Sequence, residues 1–218
     1  MIKIVEVAKE ILAGLEPHFK EHGFTLDKNK RLFKRNVPEC VQIFDMFFYK
    51  EPNHITIKPE IRIKVKPIEN IYEEASTIEG RPYLTLGNNL FDIVRYIDEH
   101  EESGERKKAV PDWLLESQRN IDKLIEVIPQ YLIETMLPYF DENSSVTRVD
   151  ELLNKFPREL SIHNRLFPLR ANIAIIAAKL NKNPRYEDLL QIYEEELQEA
   201  EETYKEEFYK LKEILKEY

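Results

Sequence analysis

The stretch CVQIFDMFFYKEPNHITIKPEIRIKV, Cys40 to Val65, decides the fold. Its second half alternates cleanly. Ile55, Ile57, Ile61, Ile63 and Val65 lie on one side, and His54, Thr56, Lys58, Glu60, Arg62 and Lys64 on the other. A period of two is that of a strand with one buried and one wet face. Pro59 cannot donate a ladder hydrogen bond, so it is expected at an edge or a bulge. The first half is aromatic and β-branched. Val41, Ile43, Asp45, Phe47 and Tyr49 alternate with Gln42, Phe44, Met46 and Phe48. Both faces are largely apolar, as expected of a central strand covered on more than one side. Glu51-Pro52-Asn53 between the halves is a turn signal.

Working upstream, KRLFKRN (Lys30 to Asn36) reads as a further short strand. Before it, Val5, Ala8, Ile11, Leu12, Leu15 and Phe19 recur at helical spacing, with Gly23 placed to take a left-handed C′ conformation. Pro17 is expected to kink or split that helix. Downstream, PIENIYEEAS is a short helix and PYLTLGNN a strand or extended loop. NNLFDIVRYIDEH is a helix capped near Asn88 or Asn89. EESGERKK is an exposed loop, and AVPDWLLES is a last strand. Ser117 caps the helix QRNIDKLIEVIPQYLIETMLPYF, which Pro129 and Pro138 should bend or end. DENSS, Asp141 to Ser145, is the expected domain boundary.

After that boundary the chain reads as helix only. Thr147-x-x-Asp150 resembles a capping box, and NIAIIAAKL is apolar nearly all round, hence a buried helix. In NKNP, Asn183 is a cap candidate and Pro184 a first helical residue. From there Tyr193, Leu197, Tyr204, Phe208, Leu211 and Leu215 fall on one stripe. The spacing is heptad-like with one inserted residue. Unbroken, a helix over the last ~35 residues would extend roughly 50 Å. The remaining residues, folded compactly, have a radius of gyration of about 16 Å. Such a rod must wrap its own domain or find a partner.

The expected fold is therefore α+β. An N-terminal helix and later helices pack on a four- or five-stranded antiparallel sheet over residues 1–143. A helical C-terminal region over 144–218, with a long terminal helix, packs on that domain.

Composition bounds the function. Apolar residues make up 42% and charged residues 33%, a soluble globular mix. Five glycines and the absence of a G-x-x-x-x-G-K-[ST] or G-x-G-x-x-G pattern argue against a phosphate loop. A single cysteine excludes an intramolecular disulfide and a multi-cysteine zinc site, and suits a reducing compartment. The start lacks the apolar run of a signal peptide or membrane span, so cytoplasmic residence and no membrane partner are expected. The net charge of −9 is unevenly placed. Lys28 to Lys66 holds ten basic and four acidic residues, whereas Pro184 to Tyr218 holds twelve acidic and five basic.

The order HFKEHGFTLDKNKRLFKRN, then CVQIFDMFFYK, then the Ile-rich strand, then DWLLESQRNIDKLIEVIPQYLIETMLPYFD resembles an uncharacterised bacterial domain family of unknown function. Its marks are Gly23-Phe24, Phe33, Arg35, Gln42, Trp113, Pro138 and Phe140, over roughly the first 140 residues. The resemblance implies a fold and carries over no functional residue.

Candidate chemistry is sparse. His18 and His22 share a helix face at a spacing that can hold zinc, but no glutamate follows the first and no third ligand is evident. Cys40 with His54 could form a nucleophile pair, although a lone cysteine is more often a small core residue. Asp45 among aromatics could be a perturbed acid or base, or simply the partner of a neighbouring-strand cation. Glu73, Glu74 and Glu194-Glu195-Glu196 read as solvated helix faces. No catalytic residue, metal or cofactor is assigned.

Two binding surfaces emerge. One is an apolar seam on the terminal acidic helix (Tyr193, Leu197, Tyr204, Phe208, Leu211, Leu215), which points to a non-enzymatic interaction protein that binds a protein partner or oligomerises. The other is a basic sheet face of Arg31, Lys34, Arg35, Lys58, Arg62 and Lys64, suited to an anion or nucleic acid. The acidic pI near 5.3 counts against nucleic acid. An enzyme with an unrecognised site is the remaining class.

Overall fold

A computed structural model describes residues 3–77, 84–100 and 113–218. In chain order the elements begin with α1 (Ile4–Glu21), β1 (Thr25–Asp27), β2 (Leu32–Val37), β3 (Cys40–Lys50) and β4 (Ile55–Val65). Next come α2 (Lys66–Ala75), β5 (Leu86–Asn89), α3 (Leu90–His100), β6 (Trp113–Leu115), α4 (Gln118–Tyr131) and α5 (Leu137–Glu142). The chain ends with α6 (Val146–Asn154), α7 (Phe167–Leu180), α8 (Tyr186–Glu196) and α9 (Glu202–Ile214). The fold is α+β, with an antiparallel sheet of order β1-β2-β3-β4-β5 and β6 also paired with β4. The expected loop Glu101–Lys108 lies outside the described residues, as do Pro82 and Tyr83 before β5 and Ala109–Asp112 before β6. No described helix is long and apolar enough to cross a membrane.

The chain forms two compact units. The first comprises Met1–Val37, Val41–Arg62 and Asn88–Asp141; the second comprises Pro38–Cys40, Ile63–Gly87 and Glu142–Tyr218.

In the first unit α1 buries the stripe Val7, Ala8, Ile11, Leu12, Leu15 and Phe19. Each such large side chain contributes roughly 1.5–3 kcal/mol on full burial. Pro17 stays inside a continuous helix, on its exposed side. The helix ends as the Gly23 signal predicts. Gly23 has φ +81°, its N–H donates to the Lys20 carbonyl, and the Phe24 N–H reaches back to Phe19. This Schellman arrangement brings Phe24 edge-on to Phe19 at 5.4 Å. Phe19 also stacks on Phe33 of β2 (4.2 Å) and Phe44 of β3 (5.0 Å), which marks the helix-covered face of the sheet. Gly14 lets α4 approach, because a Cβ there would lie 2.8 Å from the Ile125 side chain. Ser117 begins α4, with Asn120 Oδ1 accepting from its backbone N–H at 3.1 Å.

The two prolines do not end the helix after Ser117. Pro129 lies inside α4, and the backbone widens to a π-turn over Leu132–Met136 before α5, which contains Pro138. A π-turn shifts donors to the carbonyl five residues back, as Leu137 N–H does to Leu132. The element thus absorbs a residue without a donor and stays wound.

In the second unit α7 is the centre. Ten of its residues are buried, and α2, α6, α8 and α9 pack around it. Two expectations shift here. Ser145, not Thr147, caps α6, since its side chain accepts the Arg148 N–H. Helix α8 starts at Tyr186, not Pro184, because Asn183 Oδ1 accepts the Arg185 N–H and turns the chain first.

The largest departure concerns the terminal rod. The chain is wound from Tyr186 to Glu196, turns over Leu197–Ala200, and resumes at Glu202. It folds back on itself. Lys212 Nζ lies 2.7 Å from Glu194 Oε2, whereas 18 residues of straight helix would hold them about 27 Å apart. No proline or glycine forces the turn. Tertiary burial does, because folding back takes Glu207, Phe208, Leu211 and Leu215 out of water, with α9 packed on α2 and α7. Local propensity, worth tenths of a kcal/mol per residue, loses to that burial.

Candidate interaction surfaces

The hairpin that decides the fold builds a partly exposed surface of mixed character in the first unit. The turn closes with Glu51 N–H donating to the His54 carbonyl at 3.0 Å. Because Phe33, Phe44, Met46, Ile55, Ile57 and Ile61 fill the helix-covered side, the alternate residues point the other way. On that open face Arg62 lies over the Phe47 ring (4.9 Å) and Lys58 over the Tyr49 ring (5.2 Å). Tyr49 is 45% exposed, and Leu114, paired with Thr56 across the β4–β6 ladder, is 42% exposed. Val41, Ile43 and Phe47 are half-buried.

Asp45 lies at the middle of this face. It is buried, with Arg62 Nη1 at 3.4 Å, while Arg62 also grips Glu60 Oε2 through Nε (2.9 Å) and Nη2 (2.6 Å). Burial pushes the Asp45 carboxyl above its ordinary value, and the Arg62 charge only partly offsets this. Asp45 is therefore the partner of a neighbouring-strand cation.

The six expected basic residues do not form one basic patch. Arg35 is on the helix-covered side, where it bonds to Gln42 and Asp141 and lies over the Phe24 ring at 5.2 Å. Its neighbour on β2, Lys34, is on the open face, 4.0 Å from Asp27. Arg31 belongs to the β1–β2 turn, with φ +58°. Lys64 lies at the far end of β4, half-buried, in the stretch of that strand that belongs to the second unit. Of Lys34, Lys58 and Arg62, only Lys58 lacks a carboxylate partner among the described residues. The face is mixed in charge and substantially apolar, not a phosphate track.

The terminal seam is placed otherwise than a binding stripe requires. Tyr193, Leu197, Phe208, Leu211 and Leu215 are buried, and Tyr204 is half-buried. The same turn that breaks the rod hides its apolar edge inside the second unit.

The other candidate groups are exposed or serve structure. His18 is exposed, and among the described residues no three His, Cys, Asp or Glu side chains group to hold a metal ion. Cys40 is buried, its Sγ 3.3 Å from Ser144 Oγ. Glu195 and Glu196 clamp Arg158, and hydrogen bonding to Lys212 holds the Glu194 carboxyl below its usual value. Glu74 joins Glu213, Lys216, Glu217 and Tyr218 around an open cleft of about 690 Å³.

Sequence reasoning passed over three buried carboxylates, of which Glu69 accepts from Thr85 Oγ1 at 2.6 Å. Glu207 accepts from Tyr72 Oη (2.6 Å), Ser76 Oγ (3.0 Å) and the Thr77 N–H (2.9 Å). Asp150 accepts from the amides of Asn154 (2.6 Å), Asn181 (2.7 Å) and Asn183 (2.9 Å). Each of those amides has its oxygen engaged elsewhere: Asn154 by Tyr193 Oη, Asn181 by Thr147, and Asn183 by the Arg185 N–H. Their orientation as donors is thus fixed, and the cluster is a closed structural network, not an open ligand cage. The repeated Asn in NKN was the one available signal for it.

Compared with protein-family models, with curated proteins and with solved structures, the chain matches none of them.

Proposed function

We propose that this chain is a non-enzymatic protein-binding protein, and that its binding surface is the open sheet face around Tyr49, Lys58 and Leu114 rather than the terminal helix. One observation carries the reading: aromatic and aliphatic side chains stand half-exposed there beside cations held over aromatic rings. Central aromatic and arginine anchors are what protein interfaces use most. The balance of Asp27, Asp45 and Glu60 against Lys34, Lys58 and Arg62 favours a protein partner over a polyanion, which requires uncompensated positive charge.

The test is site-specific photocrosslinking of the full chain in extract from its source cells, with benzoylphenylalanine at Tyr49 or Leu114. Lys9, on the exposed side of α1, is the control position. Discrete protein adducts from the two sheet positions and none from Lys9 are expected. No adduct, or the same adducts from all three positions, sinks the reading. A nuclease-sensitive adduct overturns it in favour of nucleic acid.

A further inference from the structure

We infer that the occupant of the open sheet face is a second copy of this chain, packed face to face about a two-fold axis that passes beside Pro59. The inference rests on the sheet-face reading and adds to it the identity of the partner.

Charge along β4 argues for it. Of Lys34, Lys58 and Arg62 it is Lys58 that has no carboxylate partner among the described residues, and Glu60 stands two residues further on the same side. Arg62 occupies only Oε2 of Glu60, and the Glu60 side chain is 33% exposed. A two-fold interface is self-complementary, so a residue and its neighbour meet each other's images. With the axis beside Pro59, Lys58 of each copy faces Glu60 of the other. Moving the axis to Glu60 would set Lys58 against Arg62, like against like, so charge favours the register beside Pro59 over that one. Sheets stack about 10 Å apart, within reach of a lysine and a glutamate extended toward one another. The apolar residues Val41, Ile43, Phe47, Tyr49 and Leu114 would fill the space between, as in a sandwich.

Area sets the strength. Five strands at ~4.8 Å spacing and about six residues at ~3.3 Å cover roughly 500 Å² per copy. Two copies then bury about 1,000 Å², at the lower limit of specific interfaces, so a dimer that forms and dissociates with concentration is expected.

Sedimentation equilibrium of the full chain over roughly 5–500 μM tests this. The mass should rise from 26.0 kDa toward twice that value. Tyr49→Lys should weaken association at least tenfold. Lys58→Glu and Glu60→Lys should each be monomeric alone and dimerise when mixed, a rescue that no general loss of folding can imitate. Circular dichroism of each variant checks that it folds. A wild-type chain that stays at 26.0 kDa throughout overturns the inference, as does association that Tyr49→Lys leaves intact. If the chain is monomeric while Tyr49 or Leu114 crosslinks to another protein, the second copy is excluded and the sheet-face reading stands. A monomer without adducts removes both.

Discussion

The two units solve the problem of a core in different ways. In the first, rings stack on rings: Phe19, Phe24, Phe33, Phe44 and Phe140 are buried, and Arg35 is the charged side chain that reaches them on that side, over the Phe24 ring. In the second, apolar helices enclose Glu207, Asp150, Asn154, Asn172 and Arg170. Arg170 is 2% exposed and donates to the Pro157 and Glu159 carbonyls, which holds the irregular segment between α6 and α7. Burial lowers its affinity for the proton and raises the pKa of the Tyr193 hydroxyl, which bonds to Leu153 and Asn154. The contrast teaches that the first core is specified by volume and the second by hydrogen-bond polarity. A buried polar network is unforgiving of a wrong donor, whereas an apolar core tolerates shape-preserving changes.

That contrast can be broken at its sharpest point with Asp150→Asn. The substitution preserves shape but replaces an acceptor oxygen with a donor that faces other amide donors. A loss of about 3 kcal/mol in urea unfolding is expected, although no volume changes. A loss under 1 kcal/mol would mean that the second core, too, is governed by packing.

A smaller effect is expected where volume decides. Gly14→Val pushes a methyl-bearing Cβ into Ile125 and should cost about 1–3 kcal/mol. Ile125→Ala in the same chain should recover part of that loss, and a double-mutant cycle with no coupling would refute the close approach.

The smallest effect has the opposite sign. The Asp45 carboxyl has a folded-state pKa above its unfolded value, so its contribution to stability is present at acid pH and lost as pH rises through the folded value. Asp45→Asn should therefore melt with the parent below the ordinary carboxylate pKa and slightly above it at neutral pH. A variant less stable at neutral pH would show that the Arg62 attraction outweighs burial.

How much was legible follows from the same contrast. The Ile-rich alternation of β4, the α1 stripe, the Gly23 terminus and the Ser117 cap could be read directly, because each rests on a short-range rule. The side-chain periods grouped Asp45 with Tyr49 on β3 and Lys58 with Arg62 on β4, and pairing of the two strands brings both groups onto one face. Arg35 was misplaced because a one-residue offset on β2 turns a side chain through the sheet. Glu207 could not be found at all. In an acidic run it looks like its neighbours, and its donors come from α2 and the residues just after it, some 130 positions away.

Sequence by itself determined the element types, the α+β class and the uneven charge, because hydrophobic period, helix caps and turn residues act over a few positions. Tertiary structure alone decided that the terminal winding turns back at Leu197, that its apolar edge is spent inside, and which carboxylates are buried. Those outcomes depend on surfaces brought together from distant parts of the chain, and there the free energy of burial exceeds the local preference that a sequence displays.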